Sequence, residues 1–395
     1  MELFGTAARR LVFAFAGATS LVAAMTAATL SQPAPYEISV ILPTTGPAAF
    51  LGNSEAKAYG VVQDAINKSG GIKGRPVRFV VADDASVPAN SVQLLNGLVA
   101  KKVPLVMGSA IVATCNAMAP LADRNAGPVM YCLSPLLQPP NGSYAFSAAV
   151  APKDFEPMMA RFARAHGWNR IAVLNSIDAT GQQMENEFDS VLKTPDGAGL
   201  QIVSREHFTG SDVSVGAQVA QIKAQNPQVV LSFAAGAAFG TLLRGLHDGG
   251  VDVPVIGAAG NMVSSQLAQY QSFIPKELYF FVSGGFAPNP YASPAVKNAE
   301  RAYFDAFKAA GIEPGIAEGI SWDTAWLAVS ALRTLGTDAT ATQIRDYLEH
   351  LRGWAGVLGT YDFTQSTHRG IGPAATVGYR WDPEKRSFAV VPLPR

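Results

Sequence analysis

The amino-acid sequence predicts an α/β protein made of two doubly wound, Rossmann-like lobes, each a parallel sheet with helices on both faces. Three observations predict this fold class. Short apolar runs alternate with segments in which apolar residues recur at helical spacing. The apolar runs are continuous, which is typical of parallel strands buried on both faces. The pattern also restarts within the chain, and 395 residues exceed what one hydrophobic core ordinarily contains.

The first unit of this pattern begins with the apolar run Ile38 to Leu42. Apolar residues then recur at helical spacing from Ala58 to Ile66, and a Gly-Arg-Pro turn leads into the strand Val77 to Val81. The same criteria predict helices near residues 92–99 and 118–122 and strands at 105–107 and 129–133. The order βαβα indicates a parallel sheet.

The second unit repeats this order after a helical segment that starts near Phe155. It contains predicted strands at 171–174, 202–206, 229–233 and 253–257, with helices between them. The last third predicts strands at 278–282, 374–381 and 388–391 and helices at 299–310, 316–335 and 341–351. This third is too small for a separate domain, so we expect it to cross back to the first lobe and return.

The N-terminus has the organisation of a secretory signal. A short polar start ends in Arg9 and Arg10, an apolar stretch runs from Leu11 to Leu30, and small residues follow. We therefore assign residues 1–30 to a signal peptide that is cleaved at about residues 24–34. An uncleaved membrane anchor is the alternative, which the many Ala, Thr and Ser residues disfavour. No Cys lies near the cleavage region, so we expect no lipid anchor.

Cys115 and Cys132 are the two cysteines of the chain. Export places them in an oxidising compartment, and both lie near the same edge of the first predicted sheet. A bridge across so short a loop would contribute about 3 kcal/mol. Two buried free thiols are the equally weighted alternative, and the spacing is not that of a metal site.

Composition and motifs argue against catalysis and against nucleic acid as a partner. Hydrophobic residues make up 48% of the chain and the formal net charge is zero, which argues against global disorder and against nucleic acid as a partner. No nucleophile elbow, P-loop or zinc motif is present, and we expect neither an enzyme nor a cofactor. The scattered histidines are expected at helix ends or on the surface. Asp83 and Asp84, at a strand end, are expected to cap a turn rather than bind a cation.

A ligand site is expected beyond the carboxyl ends of the predicted parallel strands. These ends lead into loops at residues 43–52, 108–113 and 133–138 in the first unit, and at 175–181, 234–238 and 258–262 in the second. Most of the loop residues are small or hydroxylic. They would leave backbone N–H groups at helix N-termini accessible to an anion. The alternative is that tight βα turns simply require small residues.

Several motifs resemble those of the exported leucine/isoleucine/valine-binding proteins of ABC transporters. They are Ile-Ser-Val-Ile-Leu-Pro-Thr-Thr-Gly-Pro at 38–47, Asn-Lys-Ser-Gly-Gly-Ile-Lys-Gly-Arg-Pro-Val at 67–77, Asp-Asp-Ala at 83–85 and Asn-Pro-Gln-Val-Val at 226–230. The resemblance implies a type I periplasmic-binding fold with a three-crossover hinge. It implies lobe 1 at residues 36–147 plus 284–359 and lobe 2 at 148–283 plus 360–395, with crossovers near 146–150, 281–283 and 359–364.

The resemblance also implies a role. A monomeric protein in the periplasm would close over a small-molecule ligand and deliver it to the permease subunits of an ABC transporter. A ligand sensor with the same fold is a second hypothesis, and an exported enzyme is a third that the missing catalytic motifs disfavour.

Members of that family that bind an amino acid hold its carboxylate with two loops of the first lobe, here Ser109 to Ala113 and Ser134 to Gln138. The usual partners of the ligand in the second lobe map to Thr180, Ala235 and Ala259, so the carboxylate that would face an ammonium is missing. An unpaired buried ammonium is costly. We therefore expect an apolar or aromatic carboxylic acid, with a branched-chain amino acid as the alternative. The expected ligand-binding residues are Phe50, Leu51, Ser109, Ala110, Ile111, Val112, Ala113, Ser134, Leu136, Leu137, Gln138, Thr180, Ala235, Gly236, Ala259, Gly260, Phe286 and Trp322.

Overall fold

The structure is a computed structural model that describes residues 33–364 and 368–394, without the side chains of Ala179 and Thr180. The signal peptide expected at residues 1–30 lies outside this part of the chain. None of the helices in the described ranges is both long enough and apolar enough to cross a membrane.

The first sheet is wholly parallel and contains the five strands β1 to β5. Their order across the sheet is β2-β1-β3-β4-β5. The strands are β1 (Tyr36–Leu42), β2 (Val77–Asp83), β3 (Leu105–Gly108), β4 (Val129–Cys132) and β5 (Ala145–Ser147). Three helices connect them: α1 (Ala49–Lys68), α2 (Pro88–Ala100) and α3 (Val112–Arg124). The strands β3 and β4 are buried along their whole length, as the continuous apolar runs predicted.

The second sheet has seven strands in the order β14-β13-β10-β9-β8-β6-β7. Its parallel part consists of β6 (Arg170–Ser176), β7 (Gln201–Phe208), β8 (Val229–Ser232), β9 (Val255–Gly257) and β10 (Leu278–Val282). Its helices are α4 (Pro152–Ala165), α5 (Ala179–Leu192), α6 (Gly216–Ala224), α7 (Ala237–Asp248) and α8 (Ser264–Gln269). The strands β13 (Val377–Asp382) and β14 (Ser387–Val391) complete the sheet in antiparallel orientation.

The chain returns to the first sheet between β10 and β13. The helices α9 (Pro294–Ala310), α10 (Ile316–Leu335) and α11 (Ala341–Glu349) follow β10, and α10 packs along α1 and contacts β3. A small antiparallel sheet of β11 (Arg352–Ala355) and β12 (Thr360–Asp362) then leads back to the second sheet. The predicted α/β fold class is therefore confirmed.

Three details of the predicted elements are wrong. The strand expected at 374–381 begins only at Val377, because Pro373–Ala375 form a 3-10 turn instead. The sheet β11–β12 was not predicted, because its strands are short and carry no apolar alternation. The second sheet is mixed rather than wholly parallel, since β13 runs antiparallel to β10.

The three segments that pass between the two sheets are hydrogen-bonded to one another. The Val150 amide donates to the Ser283 hydroxyl at 2.7 Å, which joins the first segment to the second. The Gly284 amide donates to the Leu358 carbonyl at 3.4 Å, which joins the second to the third. These bonds align all three segments at one place between the sheets.

The two cysteines form a disulfide, which decides between the two alternatives left open by the sequence. Cys115 lies in the first turn and a half of α3 and Cys132 ends β4, with their Cα atoms 5.9 Å apart. The bond ties the start of α3 to the loop that follows β4. Two of the expected ligand loops are therefore covalently connected.

Candidate functional site

The strand ends of the first sheet are held together by two aspartates. Asp83 accepts hydrogen bonds from the Thr44, Thr45 and Ala85 amides and from the Thr45 hydroxyl. These bonds, first of all the one from the Thr45 hydroxyl, lower the pKa of Asp83 to about 2. Asp84 is completely buried and accepts from the Ser86 amide and from two serine hydroxyls. Both aspartates therefore cap and connect loops, as expected.

Two buried asparagines hold the strand ends of the second sheet. The Asn175 amide group donates to the Gly181 carbonyl at 2.9 Å, and its Oδ1 accepts from the Phe233 amide at 3.2 Å. Asn261 donates to the Ala234 carbonyl at 2.8 Å and accepts from the Gly236 amide at 3.0 Å. The loops that follow β6, β8 and β9 are thus joined at one edge of the sheet. The candidates Ala235 and Gly236 are brought beside Ala259 and Gly260.

The loops after β3 and β4 are also brought together. The Leu133 amide donates to the Ser109 carbonyl at 3.1 Å, and the disulfide joins α3, which follows the first loop, to the end of β4, which precedes the second. The loop from Ser109 to Ala113 therefore lies beside the loop from Ser134 to Gln138, as the sequence predicted.

Two helices begin at these edges without a side-chain cap. The α3 N-cap is Ile111 and the α7 N-cap is Gly236, whose φ is +64°, and neither residue supplies a side chain that caps the first amides of its helix. The first intrahelical bond of α3 runs from the Cys115 amide to the Ile111 carbonyl. The amides at 112–114 precede that bond, so they are oriented to donate to an anion. By contrast, α5 is capped by its own Asp178.

Most of the expected ligand residues are accessible. Phe50 is 73% exposed, and Leu51 and Leu136 are half-buried. The other accessible candidates are Ile111, Val112, Ala113, Gln138, Ala235, Gly236, Ala259 and Gly260. Ala110 and Ser134 are nearly buried at the same loops, and the side chain of Thr180 lies outside the described part. None of these candidates carries a charge.

Four expected ligand residues have other roles in the structure, and we remove them from the candidate set. The Ser109 hydroxyl is buried and donates to Asp84 at 2.8 Å. The Leu137 side chain is buried in the core of the first sheet. Phe286 packs against Tyr379 and Phe388, and Trp322 packs against Tyr303, Phe307 and Trp326. Core packing and loop bonding therefore account for all four side chains.

One histidine departs from the expected surface or helix-end position. His368 is buried, and its ring stacks on Phe146 with centroids 4.2 Å apart. Its Nε2 lies 2.8 Å from Glu349 and receives the Gly142 amide at 3.1 Å. It thereby fixes the chain next to the first crossing segment. Within residues 33–364 and 368–394, no group of acidic, His or Cys side chains could hold a metal.

The sequence did not single out Asn175 and Asn261 as structural residues of the site. Asn175 lies near the end of β6 and Asn261 lies in the turn that follows β9, and both are completely buried. A polar residue in such a position must have partners, because an unpaired buried amide is costly. That signal was available in the sequence, but the partners, which lie on other strands, were not.

Replacement of Asn261 by Ala is expected to destabilise the protein by about 1–3 kcal/mol, because it leaves the Gly236 amide and the Ala234 carbonyl without a partner. Urea denaturation measures this difference. Asn298→Ala, on the exposed face of α9, is the matched control and should change stability by less than about 0.5 kcal/mol. Equal stability of the two variants would contradict the structural role of Asn261.

Comparison with protein families and curated proteins gives concordant matches. Residues 35–383 match a family model described as periplasmic binding protein. The Leu/Ile/Val-binding protein homolog 3 of Brucella melitensis is 27% identical over 229 residues, which are 56% of this chain. The match spans 61% of that relative's length.

Solved structures with the same fold cover almost the whole chain. LivJ of Streptococcus pneumoniae, a branched-chain amino acid transporter substrate binding protein in complex with isoleucine, superposes with a TM-score of 0.73 at 19% identity. The match covers 91% of this chain and 100% of that one. An ABC transporter solute binding protein of R. palustris, in complex with benzoate, gives a TM-score of 0.70 at 17% identity and covers 91% and 96%. At these identities the likeness establishes the fold.

Proposed function

The chain belongs to the periplasmic binding protein family, and we propose that it is the solute-binding protein of an ABC importer that takes up a small apolar or aromatic carboxylic acid. The family consists of solute-binding proteins, not enzymes. Its membership implies a periplasmic location. Permease subunits in the inner membrane would receive the solute from the closed form.

The solute would bind between two lobes that close by a hinge. We propose residues 36–147 plus 284–359 as lobe 1 and residues 148–283 plus 360–395 as lobe 2. The two sheets and the three hydrogen-bonded crossing segments between them support this division. A solute that contacts both lobes binds the closed form better than the open form and shifts the population toward it.

The observation that carries the proposal is the combination of uncapped helix amides with an uncharged candidate set. The amides at the start of α3 suit a carboxylate, since they carry the positive end of the helix dipole. An α-amino acid also brings an ammonium, which would need a carboxylate. Asp178 is the acid in the loop after β6, and it already accepts from the Gly181 amide and the Ser176 hydroxyl. The site therefore favours a ligand with an anionic end and no cationic one.

The rest of the ligand would be apolar. Leu51, Ile111, Val112 and Leu136 are half-buried in the loops of the first sheet or in the first turns of the helices that follow them, and Phe50, next to Leu51 in α1, is exposed. Small residues at Ala235 and Ala259 leave room for a ring or a branched chain opposite them. The related fold that contains benzoate supports the feasibility of such a ligand in this architecture.

A thermal-shift screen tests the proposal on protein that has been unfolded and refolded to remove any bound solute. The panel contains benzoate, 4-methyl-2-oxopentanoate, leucine and isoleucine. Ligand at one hundred times its Kd stabilises the folded state by about 2.7 kcal/mol, which is readily measured as a rise in Tm. We expect that rise with the acids that lack an ammonium and not with the amino acids.

Two tryptophan variants test where the acid binds. Ala235→Trp should fill the space beside Gly236 and lower at least tenfold the affinity for the acid that raises the Tm. Ala224→Trp, at the exposed end of α6, should leave the affinity unchanged. Tight binding of leucine would instead indicate a branched-chain amino-acid carrier, with Asp178 as the first candidate to receive the ammonium.

A further inference from the structure

A cavity lies next to the crossing segments and is separate from the strand-end loops. Its volume is about 820 Å³. The start of α9 forms one side, and β13 with the chain after β14 forms the other. Gly284 and the segment 357–362 line it between them. None of the described ligand candidates lines this cavity. Any molecule bound here would contact residues of both proposed lobes, since the lining residues lie on either side of residue 359.

Two buried polar groups at this cavity lack partners. Glu300 on α9 is 3% exposed, and its Oε2 accepts from the Asn289 amide at 3.1 Å. The other oxygen, Oε1, has no hydrogen-bond partner among the described residues. The Thr376 hydroxyl, at the start of β13, is 8% exposed and is likewise unpartnered within the described chain. Both oxygens have almost no accessible surface, so a polar group bound in the cavity reaches them only when the two side chains turn toward it. Buried polar groups are usually satisfied, and such a group would supply the missing partners.

The charged residues that line the cavity indicate which kind of polar group would bind. Glu300 and Asp362 both line the cavity, whereas none of the described lining residues is Lys, Arg or His. The remaining wall is largely apolar, with Val296, Val377 and Leu393 among its residues. A pocket of this size and lining suits a small organic molecule with one polar end.

We propose that this cavity binds a small amphipathic amine whose ammonium donates to Glu300 Oε1 and to the Thr376 hydroxyl. The apolar body of the amine would lie against the valines and Leu393. This site is independent of the solute cleft proposed above, and its ligand carries the opposite charge.

Isothermal titration calorimetry at pH 8 tests the proposal with three probes that share a phenyl group. We expect 2-phenylethylammonium to bind and 2-phenylethanol to bind at least tenfold more weakly. In Ala235→Trp, whose solute cleft is blocked, the ammonium affinity should not change and 3-phenylpropanoate should not bind. Failure of the solute proposal would leave these results unaffected, so the two proposals are tested separately.

Glu300→Gln keeps the shape of the side chain and removes its charge. We expect it to lower the affinity for the ammonium probe at least tenfold. Asp305→Asn, on the exposed face of the same helix, should leave that affinity unchanged. Thr376→Val provides a second variant should Glu300→Gln fold poorly, with an expected loss of about threefold. The proposal is overturned if the ammonium and the alcohol bind equally, or if Glu300→Gln binds like the wild-type protein.

The affinity should also depend on pH. Burial raises the pKa of Glu300 to about 7, while the Asn289 amide and Lys297 oppose the rise. Asp362 and Tyr291 are the other titratable residues that line the cavity, and burial together with Glu300 raises the pKa of Tyr379. The ammonium probe stays charged to about pH 10, so it should bind about tenfold more weakly at pH 6, where Glu300 is mostly protonated, than at pH 8. An affinity that is independent of pH between 6 and 8 would contradict the role of Glu300.

Discussion

Replacement of Asp323 by Ala is expected to destabilise the protein by about 3–5 kcal/mol, a large share of the stability of a typical domain. Asp323 lies on α10 and is completely buried. Its carboxylate accepts from the Val357 amide at 2.8 Å, the Leu358 amide at 2.9 Å and the Tyr361 hydroxyl at 3.1 Å. Alanine would leave all three buried donors without a partner, because the apolar surroundings offer no substitute.

The loss should be measured by urea denaturation at pH 8. Burial raises the pKa of Asp323 to about 7, so the carboxylate is ionised at that pH and accepts from all three donors. Asp323→Asn should give an intermediate loss, since its NH₂ group faces a backbone N–H that cannot accept. Asp305→Ala, exposed on α9, is the control and should change stability by less than about 0.5 kcal/mol. A loss below about 1 kcal/mol for Asp323→Ala would show that α10 is not held to the third crossing segment in this way.

The regular elements could be predicted closely because their signals are local. The predicted strand Leu278 to Val282 and helix Ile316 to Leu335 coincide with β10 and α10. A continuous apolar run or a helical apolar spacing needs no knowledge of distant partners. Where the local signal is ambiguous, as in the apolar stretch after Pro373, the first residues form a turn and the strand begins later.

The side chains of the site were less predictable because distant residues decide their roles. Ser109 was a reasonable candidate to bind an anion, but its hydroxyl donates to Asp84, which lies 25 positions away in the sequence. Trp322 was a reasonable apolar ligand residue, but its ring packs in an aromatic cluster with Tyr303 and Phe307. The backbone amides of α3 were predictable for the opposite reason, since the position of a helix start depends only on the local pattern.

Three buried charged residues close to the crossing segments were not predicted at all. Asp323, Glu300 and Arg369 belong to no motif, and all three are almost completely buried. The partners of Asp323 and Arg369 lie on segments that the chain brings together only through its third passage between the sheets, whereas Glu300 accepts from the nearby Asn289 amide. A buried charge with partners on several such segments is costly to unpair. These residues are therefore the positions at which single substitutions should have the largest effects.

Replacement of Arg369 by Met is expected to destabilise the protein by about 2–4 kcal/mol and to loosen one ligand loop. The guanidinium is buried, and its Nη1 donates to the Ala149 carbonyl at 2.9 Å and to the Ser147 hydroxyl at 3.2 Å. Its Nη2 donates to the Leu137 carbonyl. One side chain thus ties the first crossing segment to the loop that carries Leu136 and Gln138. Methionine keeps much of the volume but donates no hydrogen bond.

Hydrogen exchange distinguishes a positioning role for Arg369 from simple packing. In Arg369→Met the backbone N–H groups of the segment 133–138, which Pro135 lacks, should exchange at least tenfold faster than in the wild-type protein, beyond the change in segments remote from the loop. Arg301→Met, exposed on α9, should leave that exchange unchanged. Arg369→Lys should resemble the methionine variant in the loop, because an ammonium cannot span acceptors on two segments as a planar guanidinium does. A variant that loses stability uniformly, with no excess exchange at 133–138, would show that Arg369 only packs. A loosened loop would also lower the affinity for the carboxylic acid that stabilises the wild-type protein, because Leu136 and Gln138 would no longer be held beside the start of α3.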